Sequence, residues 1–164
     1  MSFIESEKDT LFIEILRDFI KLSQTERGLN VIKVFIVGVK SVGAQCLVIE
    51  KIMENPIQYI EHYYSNYAFQ LIIKNWSLSS TKALFETVFG RFSYLSNQKC
   101  SSNAIETLML NAPVDILSRY IKEVIDSMLS IFVIRPAQQL LWDLRGSEAT
   151  SFIDAYENRR DYIH

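Results

Sequence analysis

Two five-residue stretches, 36 residues apart, decide how this sequence is interpreted. They are Asn66-Tyr67-Ala68-Phe69-Gln70 and Ser102-Asn103-Ala104-Ile105-Glu106. In each one, two polar residues are followed by two apolar residues and a polar fifth. Because residues four apart share one face of a helix, the first and fifth side chains are predicted to project together, with the second displaced by about 100°. Each stretch, called a pentad below, therefore predicts a helix start with one polar and one apolar face.

The same arrangement recurs on both sides of these pentads. One copy, Leu29-Asn30-Val31-Ile32-Lys33, begins 37 residues before Asn66, and another, Gln138-Gln139-Leu140-Leu141-Trp142, begins 36 residues after Ser102. A constant period of this length is typical of solenoids, in which each unit completes its core by stacking on its neighbours. The sequence predicts one repeat domain over residues 1–164, with four units at about 9–54, 55–90, 91–126 and 127–164.

Apolar residues follow helical spacing through most of the chain. A representative stripe consists of Leu11, Phe12, Ile15, Leu16, Phe19 and Ile20, which recur at the i, i+1, i+4, i+5 positions of an amphipathic helix. The sequence has only 5 Gly and 3 Pro, too few for a turn-rich β-sandwich. The fold class predicted is all-α.

Charge and hydropathy exclude two classes of protein. With 17 Lys+Arg against 19 Asp+Glu, the formal net charge is −2. A binder that relies on phosphate contacts alone needs a clear basic surplus, so a histone-like protein is excluded. The 49% hydrophobic content and the mean hydropathy of +0.09 exclude a disordered chain.

Compartment is predicted from the cysteines and the N-terminus. Two cysteines, Cys46 and Cys100, are too few for a disulfide framework. The first residues are acidic and unlike a signal peptide. Apolar runs such as Ile131-Phe132-Val133-Ile134 are far shorter than the roughly 20 residues of a membrane helix. We expect a soluble, cytoplasmic protein without a membrane partner.

At the two central pentads the sequence resembles the Pumilio (PUF) family of RNA-binding repeat proteins. Residues 64–70 are similar to the family's Asn-Tyr-x-x-Gln pentad and its flank, and residues 99–106 to its Lys-Phe-Ser-Ser-Asn-Val-Val-Glu segment. The 36-residue step equals the family's repeat length. The resemblance covers about residues 9–145, with residues 147–163 as a C-terminal cap. It implies a right-handed superhelical α-solenoid of three-helix repeats, similar to the C-terminal half of an eight-repeat array, whose second helices line the concave face.

The resemblance also implies that each pentad binds one RNA base. The amides of Asn66 and Gln70 can donate and accept along the edge of a base, while the Tyr67 ring offers a stacking plane. A carboxylate at Glu106, beside Ser102 and Asn103, accepts two hydrogen bonds and donates none, which suits the adjacent N1–H and amino donors of guanine. By resemblance the first pentad reads uracil, the second reads guanine, and the RNA runs antiparallel to give 5′-GU-3′ within a UGU core.

The outer pentads depart from the family pattern. The upstream copy has Leu29 at its first position and Lys33 at its fifth, and the downstream copy ends in Trp142. Weaker candidates for RNA contact are therefore Asn30, Lys33, Gln138, Gln139 and Trp142. The upstream uracil of UGU would fall to the last three of these residues.

No constellation of residues predicts catalysis. The histidines are His62, placed in a polar loop, and the chain-end His164. The spacing of Cys and His gives no zinc site, and the glycines form no phosphate-binding loop. We expect a protein that is not an enzyme, has no cofactor and holds no metal.

The sequence predicts selective binding of single-stranded RNA, in an mRNA 3′ untranslated region, in cytoplasmic post-transcriptional regulation of translation. A regulatory protein partner would occupy the convex face. The alternative from another class is a protein-interaction scaffold of the HEAT or armadillo kind with a degenerate RNA face, which the net acidity and the outer pentads support. A nucleolar PUF-like protein that binds structured RNA through charge is a third possibility, against which the lack of basic surplus weighs.

Overall fold

The computed structural model describes the backbone of residues 2–131 and the side chains of residues 10–127. That part of the chain contains helices and no strand, so the all-α prediction is confirmed. The helices are α1 (Ser2–Arg17), α2 (Phe19–Ser23), α3 (Glu26–Gly38), α4 (Val42–Met53), α5 (Pro56–Glu61), α6 (Ser65–Asn75), α7 (Leu78–Glu86), α8 (Phe92–Ser96), α9 (Ser101–Asn111) and α10 (Val114–Ile131). The chain divides into two compact units, Met1–Asn111 and Ala112–His164.

The first unit is built from repeated groups of three helices. The helices α2, α3 and α4 form one group, α5, α6 and α7 form the next, and α8 and α9 correspond to the first two helices of a group. Second helices pack side by side, α3 on α6 and α6 on α9, and α4 packs on α7. Stacking of equivalent helices defines an α-solenoid. The repeat bounds given above stay predictions, and the predicted cap at residues 147–163 lies outside the described residues.

A serine immediately before each central pentad fixes the start of the second helix. The Ser65 hydroxyl donates to the Tyr59 carbonyl at 2.6 Å, and the Ser101 hydroxyl donates to the Leu95 carbonyl at 2.7 Å. Both serines are fully buried, and both bonds span six residues. The same contact thus recurs after 36 residues, which is independent structural evidence for the repeat.

Gly28 occupies the equivalent place in the first group, and there the packing leaves no room for a side chain. A Cβ atom at this position would overlap the Leu22 carbonyl oxygen and would lie 2.6 Å from the Thr25 Oγ1. That hydroxyl oxygen accepts from the Gly28 N–H at 3.2 Å and so caps α3. Glycine fits at this position because the neighbouring backbone atoms approach too closely for any side chain.

Buried side chains join neighbouring groups of helices. The Trp76 Nε1–H donates to the Ile36 carbonyl at 2.9 Å, and the Ser80 hydroxyl donates to Gln45 Oε1 at 2.7 Å. The aromatic core includes Tyr59, whose ring stacks on Phe19 with centroids 6.4 Å apart. Burial raises the pKa of the Tyr59 phenol well above its usual value, an effect that the neighbouring Ser23 hydroxyl only partly opposes. The phenol is therefore neutral at physiological pH.

Within the described residues, every helix is too short or too polar to cross a bilayer.

Candidate nucleic-acid interface

Three of the four pentads begin in the first turns of α3, α6 and α9. These three adjacent helices are called the second-helix row below. Their second residues, Asn30, Tyr67 and Asn103, are all exposed. The apolar pentad residues Ala68 and Phe69 are fully buried, as are Ala104 and Ile105. The structure therefore brings the predicted contact residues of successive repeats onto one row, with the apolar pair of each pentad in the core.

Asn66 is buried, and its side-chain amide is engaged by the chain itself. Its Nδ2 donates to the carbonyls of His62 and Tyr63, both at 2.8 Å, and its Oδ1 accepts from Gln70 Nε2 at 3.2 Å. The two amides are therefore hydrogen-bonded to each other. Both Asn66 donor hydrogens are used to hold the preceding loop, which leaves the half-buried Gln70 as the more accessible amide of the pair.

Gln70 is also held from the next helix. The Thr107 hydroxyl of α9 lies 3.3 Å from Gln70 Oε1 and 3.0 Å from the Asn103 carbonyl, and it can donate its one hydrogen to either. Gln70 keeps one N–H and one carbonyl lone pair beyond these contacts. Sequence reasoning missed Thr107. The only signal was a polar residue four positions after Asn103, directly before the apolar run Leu108-Met109-Leu110.

The second pentad presents a more open group. Glu106 and Asn103 are exposed, and Ser102 is half-buried. The Ser102 hydroxyl lies 3.5 Å from the Lys99 carbonyl, a long contact that restrains it weakly. Both carboxylate oxygens of Glu106 are thus accessible to a ligand with paired donors.

Lys33 reaches across from α3 to the pentad of α6. Its Nζ lies 5.9 Å from the centroid of the Tyr67 ring, within the range of a cation–π interaction. Tyr67 is 46% exposed. A positive charge therefore lies against the aromatic plane that was predicted to stack on a base.

His62, which the sequence places in a polar loop, is half-buried and accepts hydrogen bonds from N–H groups at the start of α6. Its Nδ1 accepts from the Tyr64 N–H at 3.1 Å and from the Ser65 N–H at 3.4 Å. Together with the Asn66 amide, this histidine fixes the chain where it enters the pentad. The residue is structural, and its role follows from the path of the loop.

Across the described side chains, no three His, Cys, Asp or Glu residues converge to hold a metal ion. The weaker candidates Asn30 and Lys33 lie on the second-helix row, and both are exposed. Gln138, Gln139 and Trp142 lie outside the described residues.

Comparison with solved structures supports the fold. The chain is similar to a Puf3 RNA-binding domain bound to the Cox17 RNA 3′ UTR recognition sequence site A, with a TM-score of 0.65 and 15% identity. The match covers 79% of this chain and 38% of that one, so the chain spans well under half the length of this relative. No family model and no curated protein sequence matches the chain. At 15% identity the likeness shows a PUF-like fold.

Proposed function

We propose that the second-helix row binds single-stranded RNA and selects a GU-containing element. The observation that carries the proposal is the placement of Tyr67, Gln70, Asn103 and Glu106 at equivalent, adjacent positions of α6 and α9. The similarity to an RNA-bound PUF domain supports the general role. A repeat array of this kind uses two or three side chains for each base.

The hydrogen-bonding state of Gln70 favours uracil. Its free N–H can donate to a uracil carbonyl, while Oε1 can accept from the uracil N3–H. Asn66 and Thr107 restrain the amide from two sides, which lowers the entropy lost when a base binds. Asn66 therefore acts mainly by positioning Gln70, and Tyr67 supplies the stacking plane.

The exposed carboxylate of Glu106 favours guanine, because it can accept from N1–H and from the exocyclic amine together. Charge-assisted bonds of this kind are about twice as strong as neutral ones. Asn103 and Ser102 flank the base. With the antiparallel orientation that the family resemblance implies, the two sites read 5′-GU-3′.

Charge predicts a shallow salt dependence for this interaction. The row carries exposed Lys33 and Lys74, but the net charge of the chain is −2. Few phosphate contacts mean few released counterions and a small slope of log K against log salt.

We propose that the RNA lies in an mRNA 3′ untranslated region and that binding regulates translation in the cytoplasm.

The test is a fluorescence-anisotropy titration of the whole chain with labelled RNA carrying UGU or UCU at fixed salt. We expect tighter binding to UGU. Tyr67→Ala should weaken binding to both RNAs without loss of helicity, since the ring is half exposed. Lys82→Ala, on an exposed residue of α7 outside the row, is the matched control and should change nothing.

A protein-interaction scaffold is the competing function, and one observation favours it. On α3 the row continues into Val34 and Val37, which are 76% and 48% exposed, and on α9 it reaches Leu110, also 48% exposed. Such apolar positions suit a protein helix better than a phosphate backbone. Equal affinity for UGU and UCU, or no binding to either, would contradict RNA selection and favour the scaffold.

A further inference from the structure

Thr107 lies outside the pentads, yet its hydroxyl contacts a pentad side chain of the preceding repeat. The residue is 4% exposed, and its Oγ1 lies 3.3 Å from Gln70 Oε1. The other acceptor in reach is the Asn103 carbonyl, 3.0 Å away in the same helix. In a regular helix that carbonyl already accepts from the backbone N–H four residues later. The hydroxyl hydrogen is therefore available to Gln70.

The repeat register shows that a hydroxyl at this place is particular to α9. The equivalent residue is Leu71 in α6 and Val34 in α3. The pentad of α3, which packs on α6, ends in Lys33, whose ammonium group can only donate. The pentad of α6, which packs on α9, ends in Gln70, whose amide also has an acceptor oxygen. Among the described second helices, the hydroxyl thus follows the one pentad that ends in an amide.

The orientation of the Gln70 amide is fixed from its other end. Asn66 donates both amide hydrogens to the carbonyls of His62 and Tyr63. Only the Asn66 oxygen can then face Gln70, whose Nε2 donates to it at 3.2 Å. Turning the Gln70 amide over in place would set two oxygens against each other. Oε1 is therefore directed toward α9, where Thr107 can donate to it.

We propose that Thr107 is a positioning residue for the base read by Gln70 and that it helps this site to select uracil over cytosine. The inference rests on the proposed function, in which Oε1 accepts from the N3–H of uracil. Cytosine carries a lone pair at N3, so two acceptors would face each other there. An amide released from α9 can swing away from Asn66, turn over and present an N–H to cytosine instead.

The test is a fluorescence-anisotropy titration of the whole chain with UGU and UGC RNA, which differ at the third base alone. We expect the native chain to bind UGU more tightly. Thr107→Val keeps the shape of the side chain and removes the hydroxyl. It should lower the preference for UGU over UGC by about 2- to 10-fold, the contribution of one hydrogen bond. Thr107→Ser should restore the native preference, and neither variant should change the preference for UGU over UCU, which depends on Glu106.

Thr81→Val is the matched control. Thr81 is 1% exposed, and its hydroxyl donates to the Ser77 carbonyl at 3.1 Å, the same bond within one helix that Thr107 can make to Asn103. It lies on α7, outside the second-helix row. The control should lose a similar amount of thermal stability, followed by circular dichroism, and should leave both base preferences unchanged.

Three results would overturn the role of Thr107. They are an unchanged preference for UGU over UGC in Thr107→Val, an equal loss of affinity for both RNAs, and a Thr107→Ser variant that behaves like the valine variant. Thr107→Ala gives the same comparison with a smaller side chain, should valine distort α9. Failure of the proposed function is a different result, in which the native chain binds UGU and UCU equally, and it would overturn both proposals.

Discussion

Replacing Glu106 with glutamine should remove the preference of α9 for guanine in favour of a base that offers one donor and one acceptor, such as uracil. The carboxylate accepts two hydrogen bonds, whereas an amide offers one acceptor and one donor. With guanine, the glutamine oxygen could accept one hydrogen bond, but the glutamine NH2 group would face the second guanine donor, so the second hydrogen bond would be lost. Because hydrogen bonds to a charged group are worth about 1.5–3 kcal/mol, the affinity for UGU should fall by about 10- to 150-fold.

In the structure, Glu106 can be exchanged without disturbing the packing of the fold. The side chain is exposed and lies at the surface of α9, so the variant should keep its stability. The reciprocal change, Gln70→Glu, should affect the stability of the fold as well as RNA binding. A carboxylate at position 70 cannot donate to Asn66 Oδ1, which accepts from Gln70 in the native chain. The repulsion between these oxygens would cost stability as well as uracil binding.

The assay compares anisotropy titrations of UGU and UUU RNA at one salt concentration. We expect Glu106→Gln to lower the affinity for UGU and to raise it for UUU, so that the ratio of the two dissociation constants inverts. Glu86→Gln, an exposed glutamate at the end of α7, is the control and should leave the ratio as in the native chain. An unchanged ratio, or an equal loss for both RNAs, would refute base recognition by Glu106.

Three further predictions concern stability, and thermal or urea unfolding followed by circular dichroism checks each of them. Gly28→Ala should destabilise the fold by about 1–3 kcal/mol because its Cβ would overlap the Leu22 carbonyl. The control Gly43→Ala, whose Cβ would make only an ordinary van der Waals contact, should be neutral or stabilising by up to about 1 kcal/mol. Equal changes in stability for the two variants would contradict the close packing at Gly28. His62→Ala should lower the free energy of unfolding by about 1 kcal/mol through loss of the hydrogen bonds at the start of α6. His62→Asn should restore much of that stability, since asparagine accepts from nearby backbone N–H groups. Equal stability of the two variants would argue against a capping role for His62. Trp76→Phe should cost about 1–3 kcal/mol by removing the buried bond to α3, and an unchanged midpoint would mean that this bond contributes nothing.

The repeat pattern predicted the fold and the row because both depend on periodicity. Pentads at a constant step place equivalent residues on equivalent helices, and the apolar pair in each pentad faces the core. This reasoning located Tyr67, Gln70 and Glu106 at the pentad positions of successive repeats, without any knowledge of tertiary contacts. The three-helix group came from the family resemblance and agrees with α2 to α7.

What could not be predicted depends on contacts between helices and on loop geometry. The engagement of Asn66 follows from the path of the chain through His62 and Tyr63, which brings two carbonyls within 2.8 Å of its amide. The approach of Lys33 to Tyr67 depends on the spacing of α3 and α6. Helical periodicity gives the direction of a side chain but not the partner that meets it.

The serine bonds that precede the pentads have a consequence for how this protein can change over evolution. Ser65 and Ser101 anchor each second helix to a carbonyl six residues earlier, entirely outside the five positions that follow. The exposed positions Tyr67 and Glu106 contribute nothing to that anchor. Substitution at these two positions can alter what the surface contacts while it leaves the serine bonds unchanged. Diversification of the ligand is thereby separated from maintenance of the scaffold.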